Sequence, residues 1–195
     1  MADLNALDNG WIDGTLTLLQ NVDTGTTGIG ETAIVVQRSC TLNLNGKTLS
    51  GKPAANGDAI LGVTAETEDL SFTLTGGMIS VSDGSFGGCL EVTANSTGTV
   101  TFLCEDTNLK ADWYALETDG NVDTTVRNSE ITGTYQDKSA GIGVIEQTTI
   151  TTDNNSLCAL ITSSAKITDS TICSTADGAT SSLTNIGGGA LYLNY

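Results

Sequence analysis

Short apolar runs alternate with threonine, serine and asparagine along most of this chain. The clearest run is the block Leu42–Gly51, which reads Leu-Asn-Leu-Asn-Gly-Lys-Thr-Leu-Ser-Gly. Related blocks follow at Phe72–Val81, Phe102–Ala111, Thr124–Gly133, Ile150–Ala159 and Ala165–Ser174. Because side chains of a strand alternate between two faces, the apolar positions of each block predict strands with one buried side.

The fifth position of the six aligned blocks marks a corner in the backbone. It holds Gly46, Gly76, Asp106, Asn128, Asn154 and Asp169. Gly, Asn and Asp are the residues that adopt a left-handed conformation at low cost, so this column predicts a one-residue turn between two strands. The eighth column is apolar and is expected to face inward: Leu49, Ile79, Leu109, Ile131, Leu157 and Ile172.

Six blocks, each followed by a third short strand, predict the coils of a solenoid. The expected third strands are Ala59–Val63, Cys89–Val92, Tyr114–Glu117, Gly143–Ile145, Leu160–Thr162 and Ala190–Leu193. Three strands per coil with one tight corner describe an all-β, right-handed parallel β-helix of about six to seven coils. We expect a single domain over residues 1–195, in which residues 1–12 form a helical cap and residues 13–195 form the coils.

Three segments of the sequence resemble pectate-lyase-like parallel β-helix repeats: Asp13–Asp23, Thr41–Gly51 and Gly187–Asn194. The resemblance is to repeats of large bacterial surface proteins and adhesins, and of phage tail proteins. It covers residues 3–133 well and the rest loosely. It implies an extracellular location, on a bacterial cell surface or a virion, but the scaffold hosts adhesins, lyases, glycosidases and passive stalks alike.

The net charge of the chain limits the classes of molecule that it can bind. Seven Lys and Arg against 23 Asp and Glu, without histidine, give a net charge of −16. Such a surface repels nucleic-acid phosphate and anionic lipid, and no apolar run reaches the roughly 20 residues that span a bilayer. The five cysteines show no zinc-binding spacing, so free buried thiols or a disulfide between stacked Cys158 and Cys173 are the two alternatives.

Enzymatic chemistry finds limited support in the sequence. The family's lyases use an Asp cluster for calcium with an Arg or Lys base, whereas Arg127 beside Glu105 and Asp106 is better interpreted as a surface ion pair. A glycosidase needs two carboxyl groups at a set distance. Carboxylates for such a pair are available on adjacent coils, namely Asp106, Asp112, Glu117 and Asp119. The family's histidine-containing motif, however, is absent.

The sequence contains clearer candidates for binding residues than for catalytic residues. Trp113 and Tyr114 follow Asp112 at the start of a strand and, with Glu117, form a candidate glycan-binding surface, although a Trp that only packs on a loop gives the same pattern. Asp119 and Asp123 flank a glycine-containing loop and are candidate Ca²⁺ ligands, though such loops are more often plain turns.

We therefore expect a non-enzymatic structural or adhesive module that binds a partner or glycan through outer loops or an open end. A polysaccharide lyase or glycosidase is the alternative, and an end-to-end self-assembling subunit is the third.

Overall fold

The computed structural model describes residues 14–176, apart from residues 83, 96 and 155, together with the strand Leu191–Leu193. The expected helical cap over residues 1–12 lies outside this part. Seventeen strands, β1 to β17 in chain order, have the following bounds: Thr15–Thr17, Val22–Thr26, Ile34–Val36, Cys40–Asn43, Thr48–Lys52, Ala59–Ala65, Leu70–Val81, Gly88–Ala94, Val100–Gly120, Val122–Arg127, Glu130–Ser139, Gly143–Glu146, Thr149–Thr152, Leu160–Thr162, Ala165–Thr168, Thr171–Ser174 and Leu191–Leu193.

The strands stack as a right-handed parallel solenoid of about six turns. Each strand pairs in parallel with a strand of the next coil, which divides the wall into three faces. Face 1 begins at β1 and β4, face 2 at β2 and β5, and face 3 at β3 and β6. Some strands bend through a corner without a break, and β9 runs through all three faces. The predicted fold class is confirmed.

Aligned apolar columns fill the interior. On face 1 the column is Leu16, Leu42, Leu74, Cys104, Val126, Ile145 and Ile167. On face 2 it is Leu49, Ile79, Leu109, Ile131, Ile150 and Ile172. Phe72 and Phe102 stack inside the rod with ring centroids 6.1 Å apart. Because stacked coils bury these side chains against one another, the core is continuous from Val36 to Leu160, whereas Ile167 in the last described coils is 39% exposed.

Left-handed backbone turns the chain between faces 1 and 2. Gly76, Asp106, Asn128, Gln147 and Asp169 all have φ between 46° and 75°. In four coils the residue after the corner is a Thr or Ser whose hydroxyl bonds to backbone groups of the corner: Thr107, Ser129, Thr148 and Ser170. Ser129 Oγ accepts the N–H of Thr107 at 3.2 Å and donates to the carbonyl of Arg127 at 2.8 Å. These bonds satisfy backbone groups that the corner removes from the ladder.

The structure corrects the fifth predicted block. The block begins at Gly143, not Ile150, so Gln147 takes the corner assigned to Asn154, and Ile150 takes the inward place assigned to Leu157. The predicted third strand Gly143–Ile145 therefore lies on face 1, and the missing face 3 strand is the second half of β11. The last coils are shorter than the first ones, and a Gln at the corner hid the repeat.

Two smaller assignments also change. The alignment of the blocks places Leu44 opposite Leu74, but the structure places Leu42 there, because the first corner contains the additional pair Asn45 and Gly46. Cys173 aligns with Thr151 rather than stacking on Cys158, so the alternative of a disulfide between these two residues is wrong. All five cysteines are free thiols. Within the described residues, no helix is long or apolar enough to cross a bilayer.

Candidate functional site

The loop between β7 and β8 packs against the bend of β9 where face 2 turns into face 3. Asp112 Oδ2 accepts the N–H of Gly84 at 2.8 Å, which fixes the loop to the strand. Asn154 of a later coil donates from Nδ2 to the carbonyl of Asp112 at 2.9 Å. Asp112 therefore positions the loop through Oδ2 and the later coil through its backbone carbonyl.

An exposed aromatic pair results from this loop packing. Phe86 is 55% exposed, and its ring centroid lies 5.5 Å from that of Trp113, with the planes tilted by 51°. Trp113 itself is half-buried. A Phe exposed to this degree gains little from folding, because most of its apolar surface stays in water. Trp113 therefore packs against a loop, which was one of the two interpretations of the sequence. The loop residue that it contacts, Phe86, also exposes its ring to solvent.

A polar cluster lies on face 3, where β9 continues from Trp113 to Tyr114. It consists of Glu91 on β8, Tyr114, Glu117 and Asp119 on β9, and Lys138 on β11. Glu91 and Glu117 are direct neighbours on adjacent strands, as are Asp119 and Lys138. Neighbouring strands run about 4.8 Å apart, so these side chains lie within reach of one another. Lys138 Nζ donates to Glu117 Oε1 at 2.5 Å.

The electrostatics of this polar cluster follow from three carboxylates sharing one ammonium. Burial and the charge of Glu117 raise the pKa of Glu91, and Asp119 adds to this, while a hydrogen bond from Thr93 and the charge of Lys138 act against it. For Lys138, partial burial lowers the pKa, but the hydrogen bond and charge of Glu117 and the charge of Asp119 raise it further, and the net shift is upward. Glu117 holds Lys138 tightly, and Glu91 is left without an ammonium partner among the described residues.

Tyr114 connects the two parts of the site. Its neighbour in the chain is Trp113, and its own side chain lines a crevice of about 10 Å³ with Asp58, Glu91 and Glu117. Burial, followed by the charge of Glu117, raises the pKa of the Tyr114 phenol. Asp58 is buried and accepts the N–H groups of Gly30 and Ala55, each at 2.9 Å, so its carboxylate is already satisfied.

The four residues predicted to bind a ligand thus fall in one region, with different roles. Trp113, Tyr114 and Glu117 contribute to the surface, and Asp112 supports it. Sequence reasoning missed Phe86, Glu91 and Lys138. Glu91 and Lys138 were recognisable only from the face 3 register, which places each beside a residue already named. Phe86 lies in a loop of variable length, where no periodic pattern exists to identify it.

The two candidate calcium ligands are separated by a corner. Asp119 ends the face 3 part of β9, whereas Asp123 lies on β10 of face 1 next to Thr101. Within the described ranges, no group of three or more acidic or thiol side chains is arranged to hold a metal ion. Calcium binding by this pair remains a prediction.

Two other features of the surface are less suited to binding. Arg127 donates to Glu105 Oε2 from Nε at 2.9 Å and from Nη2 at 2.6 Å, which confirms the surface ion pair expected from the sequence. An open cleft of about 430 Å³ is lined by residues 37–39 and 64–70, with Arg38 and three acidic side chains but no aromatic ring.

Comparison with known proteins adds no further constraint, because the chain matches no protein-family model, no curated protein and no solved structure.

Proposed function

We propose that this chain is a non-enzymatic, rod-like module that binds a glycan through the outer surface of its solenoid. The observation that carries the proposal is the exposed pair of Phe86 and Trp113 beside the polar cluster on face 3. Aromatic rings stack on the C–H faces of sugars, and neighbouring carboxylate, ammonium and phenol groups supply hydrogen bonds to hydroxyls. Tyr114 follows Trp113 in the chain and lines a crevice with Glu91 and Glu117, which joins the aromatic part of the site to the polar part.

The solenoid explains how such a surface is kept rigid. Trp113 and Tyr114 lie at the bend of β9, the longest strand, and the parts of β9 before and after this bend are paired on both sides. The contact residue Phe86 lies in a loop, but Asp112 anchors that loop to the same strand. A site on a rigid strand loses little conformational entropy on binding, which favours affinity.

The proposed location is extracellular, on a bacterial surface protein or a phage particle. It is supported by the resemblance of residues 13–23 and 41–51 to repeats of such proteins. The net charge of −16 also favours a partner other than nucleic acid or anionic lipid. Assembly of copies through the C-terminal end remains a prediction, because residues 177–190 lie outside the described part.

A glycan array probed with the wild-type protein, with and without calcium, tests the binding proposal. Phe86→Ala and Trp113→Ala are the informative variants, and each is expected to lower binding at least tenfold, about 1.4 kcal/mol. Ile142→Ala is the matched control, because Ile142 is 63% exposed on another part of the rod. Binding that survives both aromatic substitutions, or no binding on the array, contradicts the proposal.

A carbohydrate-active enzyme is the second candidate, and the pairing of Glu91 with Glu117 favours it. Burial and the charge of Glu117 raise the pKa of Glu91, which is the shift that a general acid requires, and Glu117 lies beside it as a second carboxyl group. A panel of polysaccharides assayed for new reducing ends and for unsaturated products separates this candidate from simple binding. Turnover that Glu117→Gln abolishes while binding persists would establish it.

A further inference from the structure

We propose that the glycan recognised at this site carries free amino groups, so that its rings stack on Phe86 and Trp113 while its ammonium groups reach Glu91, Glu117 and Asp119. This inference rests on the proposed function and names the class of glycan. The ligand chemistry is that of a glucosamine polymer, as opposed to a neutral, N-acetylated or uronate polymer.

Charge is locally unbalanced at this site. The polar cluster brings three carboxylates together with one ammonium, and that ammonium lies 2.5 Å from Glu117 Oε1. Glu91 has only a weak hydrogen bond from Thr93, 3.5 Å long, to its Oε1. Like charges on neighbouring strands destabilise a sheet. A ligand ammonium placed beside Glu91 removes this repulsion, so the free energy gained on binding includes relief of a strain that the free protein carries.

Among the described residues, the cation that acts on Glu91 is Lys138, and its ammonium is already bonded to Glu117. The charged and titratable groups facing it are Glu117, Asp119 and Tyr114 on β9 and Lys138 on β11, and Asp58 lines the same crevice. Burial and the two β9 carboxylates raise the pKa of Glu91. Binding of a cation favours the ionised form, so affinity for an amino sugar should fall as the pH drops through that raised pKa.

The same carboxyl groups disfavour uronate and N-acetylated sugars. A uronate carboxylate placed beside Glu91 and Glu117 adds a like charge, and an N-acetyl group offers no charge to offset the cost of removing water from these side chains. The aromatic pair strengthens the preference, because an ammonium near the face of Trp is attracted to the ring. The net charge of −16 attracts a cationic polymer from a distance as well.

Titration calorimetry with linear glucosamine oligomers and with N-acetylated oligomers of the same length tests the inference on the full chain. The free-amine oligomer is expected to bind at least tenfold more tightly. This preference should shrink with Glu91→Gln and Glu117→Gln, and it should weaken at about 1 M salt, where charges are screened. It should also decrease between a pH at which the oligomer amines are protonated and Glu91 is ionised and a lower pH at which Glu91 is protonated. Glu130→Gln is the control, because it removes the same charge from an exposed site on face 2.

The outcomes separate this inference from the proposed function. Equal binding of both oligomers, lost with Trp113→Ala, overturns the amino-sugar inference and leaves glycan binding in place. Equal weakening by Glu130→Gln and Glu117→Gln overturns it also, since the attraction is then a property of the whole surface. Binding of polylysine but of neither oligomer overturns both proposals, because the ligand is then a cationic peptide.

Discussion

The hydroxyl of Thr118 donates a hydrogen bond of 2.9 Å to Oδ1 of Asp137, its neighbour in the next coil, inside the rod. Thr162, one coil further, donates to Oδ2 at 3.0 Å, and Ser139 donates to Oδ1 from both its N–H and its hydroxyl. Face 3 therefore changes from the apolar residues Val63 and Val92 to a polar column in the later coils. A buried carboxylate is tolerated here because four donors replace its water.

Loss of the Asp137 carboxylate should destabilise the fold strongly. Asp137→Ala leaves the hydroxyls of Thr118, Thr162 and Ser139 without an acceptor, and we expect the free energy of unfolding to drop by about 3 kcal/mol. Urea denaturation at neutral pH measures it. Asp153→Ala, at an exposed site, should change stability by less than about 0.5 kcal/mol. Equal stability of the two variants would mean that the buried network contributes nothing net.

The corrected corner can be tested by one substitution at two positions. Gln147 is exposed with φ 49°, whereas Gln136 lies within a strand of face 3. A β-branched residue is strained in the left-handed region, so Gln147→Val should cost at least about 1 kcal/mol of unfolding free energy. Gln136→Val should be neutral or stabilising, since valine favours strands. Chemical denaturation of both variants measures the two free energies of unfolding. If Gln136→Val proves the more destabilising of the two, the corrected register is contradicted.

The raised pKa of Glu91 predicts a stability that depends on pH. Because the folded state binds this proton more tightly than the unfolded chain does, the contribution of Glu91 to stability falls as pH rises above the ordinary glutamate value of 4.5. Glu91→Gln should therefore raise the melting temperature at pH 7, and the gain should disappear at a pH well below 4.5. Thermal unfolding at both pH values measures this. A gain of the same size at both pH values would rule out titration of Glu91 as its cause.

Cysteine reactivity should follow burial along the rod. Burial raises the pKa of Cys89 and Cys104 to about 12, so almost no thiolate forms at pH 8. Cys40 and Cys173 are only partly buried. A short alkylation of the native protein, read by peptide mass spectrometry, should label Cys40 and Cys173 first. Cys89 and Cys104 should react only after unfolding, and early labelling of either would contradict the packing of the core.

The buried phenol of Tyr135 is a further departure from an apolar core. Its ring is fully buried, and its hydroxyl, like that of Thr124, has no hydrogen-bond partner among the described residues. Burial and the charge of Asp137 raise the pKa of this phenol. The coil formed by β10 and β11 thus has a polar interior at Tyr135 and Asp137. The neighbouring coils have leucines at the place of Tyr135, namely Leu116 and Leu160.

The columns of the early coils were predictable because their strands repeat at equal spacing. Leu49, Ile79 and Leu109 align as the 30-residue repeat indicated, and Gly76, Asp106 and Asn128 form the expected corners. The prediction failed where the coils shorten. There, Gln147 occupies a corner in a left-handed conformation that is strained for this residue. Tertiary packing imposes this conformation, so the local sequence does not reveal it.

The sequence by itself determined the class of fold, since alternation of apolar and polar residues with turn-forming residues between them leaves few other ways to bury the apolar side. It also determined the acidic surface and the importance of the segment around Trp113. Tertiary structure alone decided which side chains meet across coils. Glu91 faces Glu117, Lys138 binds Glu117, and Phe86 reaches Trp113 only because stacked strands bring residues 20 to 30 positions apart within contact. Those contacts depend on register and loop length, which neither composition nor local periodicity encodes.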